Sequence, residues 1–149
     1  MLTRPPTALV VEDDDGIRET LHELLELAGY TVREATDSET ALDILRTSAS
    51  GLVVLLDNML PGVSGLEALA ELDADSAVSA ANAAPPSGNQ PSQRLIDRHT
   101  YVIITASPQW ITPAQFAQLS RLRAQVITKP FDINALMAAV DAAASRLLL

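Results

Sequence analysis

The architecture is legible first in Leu52-Val53-Val54-Leu55-Leu56-Asp57-Asn58-Met59-Leu60-Pro61-Gly62. This stretch opens as an apolar run of strand length that ends in a carboxylate. Three other runs share that plan. Ala8-Leu9-Val10-Val11 ends in Glu12-Asp13, Tyr101-Val102-Ile103-Ile104 ends in Thr105-Ala106, and Val126-Ile127-Thr128 ends in Lys129, the sole lysine of the chain. Stretches with helical spacing lie between them, and strands alternating with helices imply right-handed crossovers and a parallel sheet. All strands of such a sheet end on one edge, and ligands of open α/β sheets bind outside that edge. Residues 12, 13, 57, 105 and 129 are therefore expected to converge there.

Working outward, Ile17, Leu21, Leu24, Leu25 and Ala28 fall at helical spacing, and Gly29 stands where a helix stops. Residues 30–34 read as a second strand. Asp37 or Ser38 can cap a helix holding Ala41, Leu42 and Leu45, ending near Ser48. Ser64 with Glu67 forms a capping box for a helix through Leu66, Leu69 and Leu72. Residues 76–93, rich in Ala, Ser, Pro and Asn, are read as a disordered insertion, because such a composition buries too little surface to offset ordering entropy. Thr112 and Pro113 open a further helix to about Leu122. The last helix begins at Asp132 and presents Ile133, Leu136, Met137, Val140, Ala144, Leu147 and Leu148 as its apolar stripe.

The 149 residues read as one domain, 1–149. Absent cysteine removes disulfides and thiol chemistry and fits a cytoplasmic protein. No apolar run approaches the ~18 residues of a membrane span, so no membrane partner is expected. A net charge of −9 opposes direct nucleic-acid binding and permits divalent cations.

Carboxylates gathered at one strand edge repel each other, and a hard cation relieves them. Magnesium suits oxygen donors and is held by one or two carboxylates together with a phosphate oxygen. Asp13 and Asp57 are its expected direct ligands, with Glu12 direct or through water. Acids 12–15 could equally serve a helix N-terminus. Asp57, ending an apolar strand, must be hydrated, capped or used, and aspartate is a nucleophile in phosphoryl transfer. Lys129 facing the developing charge and the Thr105 hydroxyl as donor would complete the parts for that transfer. Taken alone, Thr105 could instead bond its own backbone.

These residues resemble the response-regulator receiver domain of two-component signalling, over nearly the whole chain. Glu12-Asp13-Asp14 is similar to that family's metal-binding acidic pair, and Leu56-Asp57-Asn58-Met59-Leu60-Pro61-Gly62-Val63-Ser64-Gly65 to its phosphoacceptor segment. Thr105-Ala106 and Lys129-Pro130-Phe131 are similar to its switch and lysine motifs. The resemblance implies a doubly wound, five-stranded parallel sheet, order 2-1-3-4-5, flanked by five helices. It also implies Met59 as a further metal ligand through its carbonyl, and a cis Lys129-Pro130 bond. The implied function is a phosphorylation switch at Asp57, charged by a sensor histidine kinase or phosphotransfer protein and read by a downstream protein or a covalently following output domain, with a homodimer left open. The resemblance implies that the domain catalyses its own aspartyl phosphorylation and dephosphorylation and turns over no external substrate. A phosphate-independent interaction or dimerisation module is the alternative, and a magnesium phosphohydrolase is disfavoured because Met59 stands where that chemistry needs an acid.

Departures from the family pattern concern output. Val126 replaces the usual aromatic switch residue, and Leu122-Arg123-Ala124-Gln125 replaces a common Gly-Ala-Asp stretch. The third crossover is longer by about 18 residues than in a compact receiver. His22 and His99 are expected at the surface or a loop edge, and Trp110 in core packing, with an exposed partner anchor as the alternative. The apolar end, Leu147-Leu148-Leu149, fits either a single-domain regulator or a fragment of a longer protein.

Overall fold

The computed structural model describes residues 6–82 and 95–147. Five strands, β1 (Thr7–Val11), β2 (Thr31–Ala35), β3 (Leu52–Asp57), β4 (Thr100–Thr105) and β5 (Gln125–Thr128), alternate with five helices. These are α1 (Asp15–Leu27), α2 (Ser38–Thr47), α3 (Gly65–Asn82), α4 (Pro113–Leu122) and α5 (Ile133–Leu147). All pairings are parallel, in the order β2-β1-β3-β4-β5. This is the doubly wound sheet expected from the sequence. Among the described residues no helix is long and apolar enough to cross a membrane.

Strand side chains alternate between faces, and both faces of the three central strands β1, β3 and β4 are buried. Leu9, Val11, Val54, Leu56, Tyr101 and Ile103 pack with residues of α2, α3 and α4. Ala8, Val10, Val53, Leu55, Val102 and Ile104 pack with residues of α1 and α5. Continuing the alternation past the strand ends assigns Glu12, Asp57 and Lys129 to the α1/α5 face. Thr105 falls on the opposite face, toward α4.

Local chemistry explains most boundaries. Asp14 caps α1 by accepting from Ile17 N at 2.9 Å, and Gly29 beyond it has φ 97°, a conformation that favours glycine. Asp37 caps α2, accepting from Thr40 N at 2.7 Å. Ser64 and Glu67 form the expected reciprocal capping box, as do Thr112 and Gln115 on α4. After α4 the chain turns at Arg123 with φ 58°, where glycine would be unstrained and a side chain costs about 1 kcal/mol. Arg146 of α5 steadies that turn, its Nη2 donating to the Arg123 carbonyl at 3.0 Å.

Three expectations are corrected. Residues 76–82, read as part of the insertion, continue α3 to Asn82. Alanine-rich sequence has high helix propensity, and extending a helix already nucleated by Leu66, Leu69 and Leu72 costs little. The remainder of that insertion, 83–93, lies outside the described residues, as does Leu148. On α5 the expected stripe holds at Leu136, Val140 and Ala144, with Met137 and Leu147 partly buried against the same core and Ala139 and Ala143 joining it; the correction is Ile133, which is 48% exposed. Ile133 opens the first turn of the helix, and the small alanines let the helix approach the strands.

The third correction is His99, which is buried. Its Nδ1 accepts from Leu52 N at 3.0 Å and its Nε2 donates to the Leu45 carbonyl at 3.0 Å, joining α2, β3 and β4. The Nδ1 bond requires the neutral ring, because a protonated imidazole has no lone pair to accept with, whereas the bond to Leu45 is kept by either form. Burial pushes its pKa below the ordinary 6.5, so the unfolded chain takes the proton first. The stability this ring contributes is present above about pH 6.5 and lost as pH falls. His99→Gln is expected to lose about 1–3 kcal/mol at neutral pH, with its gap to wild type narrowing near pH 5.5 in urea unfolding. A gap independent of pH would contradict this.

Candidate functional site

Glu12 is the residue on which the carboxyl edge of the sheet is organised. It is buried, and the chain grips it on four sides. Its N–H donates to the Ala35 carbonyl of β2 at 3.1 Å, and its own carbonyl accepts from Arg18 Nη1 at 3.1 Å. Oε1 accepts from Asp14 N at 3.2 Å, and Oε2 from Lys129 Nζ at 3.1 Å. Desolvation first and the Asp57 charge second push its carboxyl up from 4.5 to about 7, against the opposing bonds from Asp14 and Lys129.

Asp57 extends β3 beside it, equally buried. Its Oδ1 accepts from Met59 N at 3.0 Å and its Oδ2 from Lys129 Nζ at 3.3 Å. One ammonium thus bridges two buried carboxylates that belong to different strands. Burial acts to lower the Lys129 pKa, but its bond to Glu12 and the charges of Asp57 and Glu12 outweigh this and raise it. The Lys129-Pro130 bond is cis, as the resemblance implies.

Asp13, exposed, completes an acidic group. Oxygens from Glu12, Asp13 and Asp57 lie within 4.8 Å of one another. Three hard oxygen donors with one solvent-facing member fit magnesium, which keeps several waters, better than a softer metal. The Met59 side chain is 49% exposed. Its carbonyl lies one residue beyond Asn58, whose N–H donates to the Ile104 carbonyl at 3.0 Å and whose Oδ1 accepts from Leu66 N at 3.0 Å.

This loop closes on Gly65, where a Cβ would stand 2.5 Å from the Asp57 carbonyl oxygen and 2.9 Å from Leu56 Cγ. Backbone cannot yield as a flexible side chain can. Gly65→Ala is expected to cost about 1–3 kcal/mol of stability and to displace the end of β3 that carries Asp57. Denaturant unfolding checks the first effect, and magnesium affinity of the folded variant checks the second.

Thr105 reaches the same edge but not the same face. Its Oγ1 accepts from Ser107 N at 3.0 Å, the self-backbone role open to a strand-end hydroxyl, while its carbonyl accepts from Lys129 N at 2.8 Å. Ile17, Ala106, Lys129, Pro130 and Phe131 line an apolar hollow of about 470 Å³ next to the carboxylates. Trp110 is 66% exposed on a short 3-10 turn at Pro108–Trp110, which corrects the core expectation. His22 is a partly exposed surface residue of α1, flanked by Glu26 and Glu34. The residue missed from sequence is Arg18, whose three partners come from three separate segments. Its one local signal is Asp15, a helical neighbour three positions earlier.

The description "Response regulator receiver domain" matches residues 8–83, a span that holds Glu12, Asp13, Asp57 and Met59 and stops short of Thr105 and Lys129. The chain belongs to the response regulator receiver family. This receiver is 32% identical over 137 residues to the transcriptional regulatory protein FixJ of Azorhizobium caulinodans, covering 92% of this chain and 54% of that protein. It is 33% identical over 135 residues to the transcriptional regulatory protein YkoG of Bacillus subtilis, covering 91% and 49%. The receiver thus spans about half the length of these relatives. Among solved structures, the receiver domain of Francisella response regulator 1452 superposes with a TM-score of 0.68 at 22% identity, covering 95% of this chain and 98% of that one. A CheY-like receiver domain from Methylobacillus flagellatus gives 0.65 at 23%, covering 93% and 98%. These two likenesses concern the fold alone.

Proposed function

We propose that this receiver is a phosphorylation switch whose phosphoacceptor is Asp57. The observation that carries the reading is Lys129 Nζ within hydrogen-bonding distance of both Glu12 and Asp57, at an edge where three carboxylates meet. A carboxylate oxygen of Asp57 forms a bond to phosphorus as the phosphorus–nitrogen bond of a donor phosphohistidine breaks, the electron pair leaving with the imidazole. Later a water oxygen bonds to phosphorus, the bond to Asp57 breaks, and inorganic phosphate departs. Asp13, Asp57, Glu12 directly or through water, and the Met59 carbonyl would hold magnesium. When bound, that ion supplies charge neutralisation to the phosphoryl oxygens.

Lys129 is already directed at Asp57, so a phosphoryl group there competes with Glu12 for its ammonium. Thr105 Oγ1 accepts from Ser107 N while its O–H stays available to donate, and turning that hydroxyl toward a phosphoryl group on Asp57 would strain or break the Ser107 bond. Its movement would carry the 105–110 segment, including exposed Trp110, and so bias the surface that a partner reads. The donor is a sensor histidine kinase or phosphotransfer protein. The reader is a downstream protein or an output domain in the same polypeptide, a reading supported by the longer transcriptional regulators it resembles. Intact mass after acetyl phosphate and magnesium, beside Asp57→Asn, tests the chemistry.

The second reading, a module indifferent to phosphate, is favoured by Val126. It lies partly buried against the core in place of a mobile ring, and the bonded Thr105 hydroxyl points the same way. Partner affinity or dimerisation unchanged by beryllofluoride would support it.

A further inference from the structure

We propose that Arg18 is a positioning residue for magnesium, which orients the acidic loop between β1 and α1 through the Glu12 carbonyl. This rests on the magnesium reading above. The guanidinium spends each nitrogen on a different segment. Nη1 donates to the Glu12 carbonyl at 3.1 Å, Nη2 to Asp15 Oδ1 in the first turn of α1, and Nε to Glu34 Oε2 at the end of β2, at 3.0 Å. The side chain is only 15% exposed, so it is packed as well as bonded. Glu34 is fixed in turn, because its other oxygen, Oε1, meets His22 Nδ1 at 3.1 Å.

The carbonyl that Arg18 holds belongs to the peptide joining Glu12 to Asp13. Glu12 N is pinned to Ala35 of the same strand end that carries Glu34, so β2 frames Glu12 from both sides. Fixing that peptide plane leaves φ of Asp13 as the one backbone rotation between the plane and its Cβ, and so narrows the directions its side chain can take. Without it, Asp13 heads a run of three aspartates whose mutual repulsion favours turning outward to water. A planar fork can satisfy three separated acceptors at once, whereas an ammonium on a flexible stem cannot hold the same geometry.

Simple Coulomb reasoning gives the opposite sign, which makes the inference testable. Removing a cation near a cation site should tighten magnesium binding; removing a positioning group should weaken it. Magnesium affinity measured by calorimetry on wild type, Arg18→Gln and Arg18→Lys is the experiment, with circular dichroism and urea unfolding on the same samples. Both variants are expected to bind about ten- to a hundredfold more weakly, the range for groups that orient metal ligands. Lysine is expected to give no rescue although it keeps the charge and much of the packing. Equal or tighter binding in a folded Arg18→Gln, or wild-type affinity in Arg18→Lys, would overturn the inference and leave the magnesium site intact. No magnesium binding by wild type would overturn the site itself, and this inference with it.

Discussion

Lys129→Ala is expected to lower the unfolding free energy by about 3 kcal/mol near pH 8 without magnesium, and by clearly less near pH 5.5. The ammonium bridges Glu12 and Asp57, whose side chains are each 2% exposed, and its removal leaves two buried carboxylates facing each other. Their cheapest relief is a proton. Glu12 is already pushed to about 7 by desolvation and by Asp57, and losing the Lys129 bond raises it further. A carboxyl whose folded pKa lies above its unfolded value binds the proton on folding. Its stability is fully present below about 4.5 and is lost as pH rises through the folded pKa. The gap between variant and wild type therefore opens as pH rises. Magnesium should return part of the loss by replacing the missing positive charge. Urea unfolding at both pH values, with and without magnesium, checks this; a gap that ignores pH would assign Lys129 to packing rather than charge.

Asp57→Asn is expected to abolish phosphoryl incorporation. An amide lacks the anionic oxygen that would attack phosphorus in the proposed transfer, while its shape still lets Oδ1 accept from Met59 N, so the fold should survive. Glu12 then loses the Asp57 charge that raises its pKa, and should ionise more readily. Intact mass after acetyl phosphate treatment is the measurement. Full labelling of the variant would remove Asp57 from the phosphoacceptor role. Lys129→Ala should behave differently, accepting phosphate in part yet leaving partner affinity unmoved by it; wild-type coupling in that variant would contradict the switch assigned to the ammonium.

Particular residues mark where sequence reading stops. Residues 76–82 have few large apolar side chains and read as insertion, yet alanine propensity carries α3 through them. His99 carries no local sign of burial, because its partners are backbone groups of Leu45 and Leu52, about fifty positions away in the chain. Trp110 is apolar enough for a core, and only the direction of its short turn leaves it in solvent.

The chain by itself determined the strand-and-helix order, the caps, and the four polar stations at the strand ends, because periodicity and capping are local interactions between near neighbours. Alternation along each strand even assigns Glu12, Asp57 and Lys129 to one face and Thr105 to the other, once the faces are known. Tertiary structure alone decided which acceptor each polar group meets when its partner is distant in the chain. The Lys129 ammonium lies between residues 117 and 72 positions away, and Arg18 joins a loop, a helix and a strand end. Such bonds depend on register between strands and on the approach of helices to the sheet, and no stretch of sequence encodes either by itself.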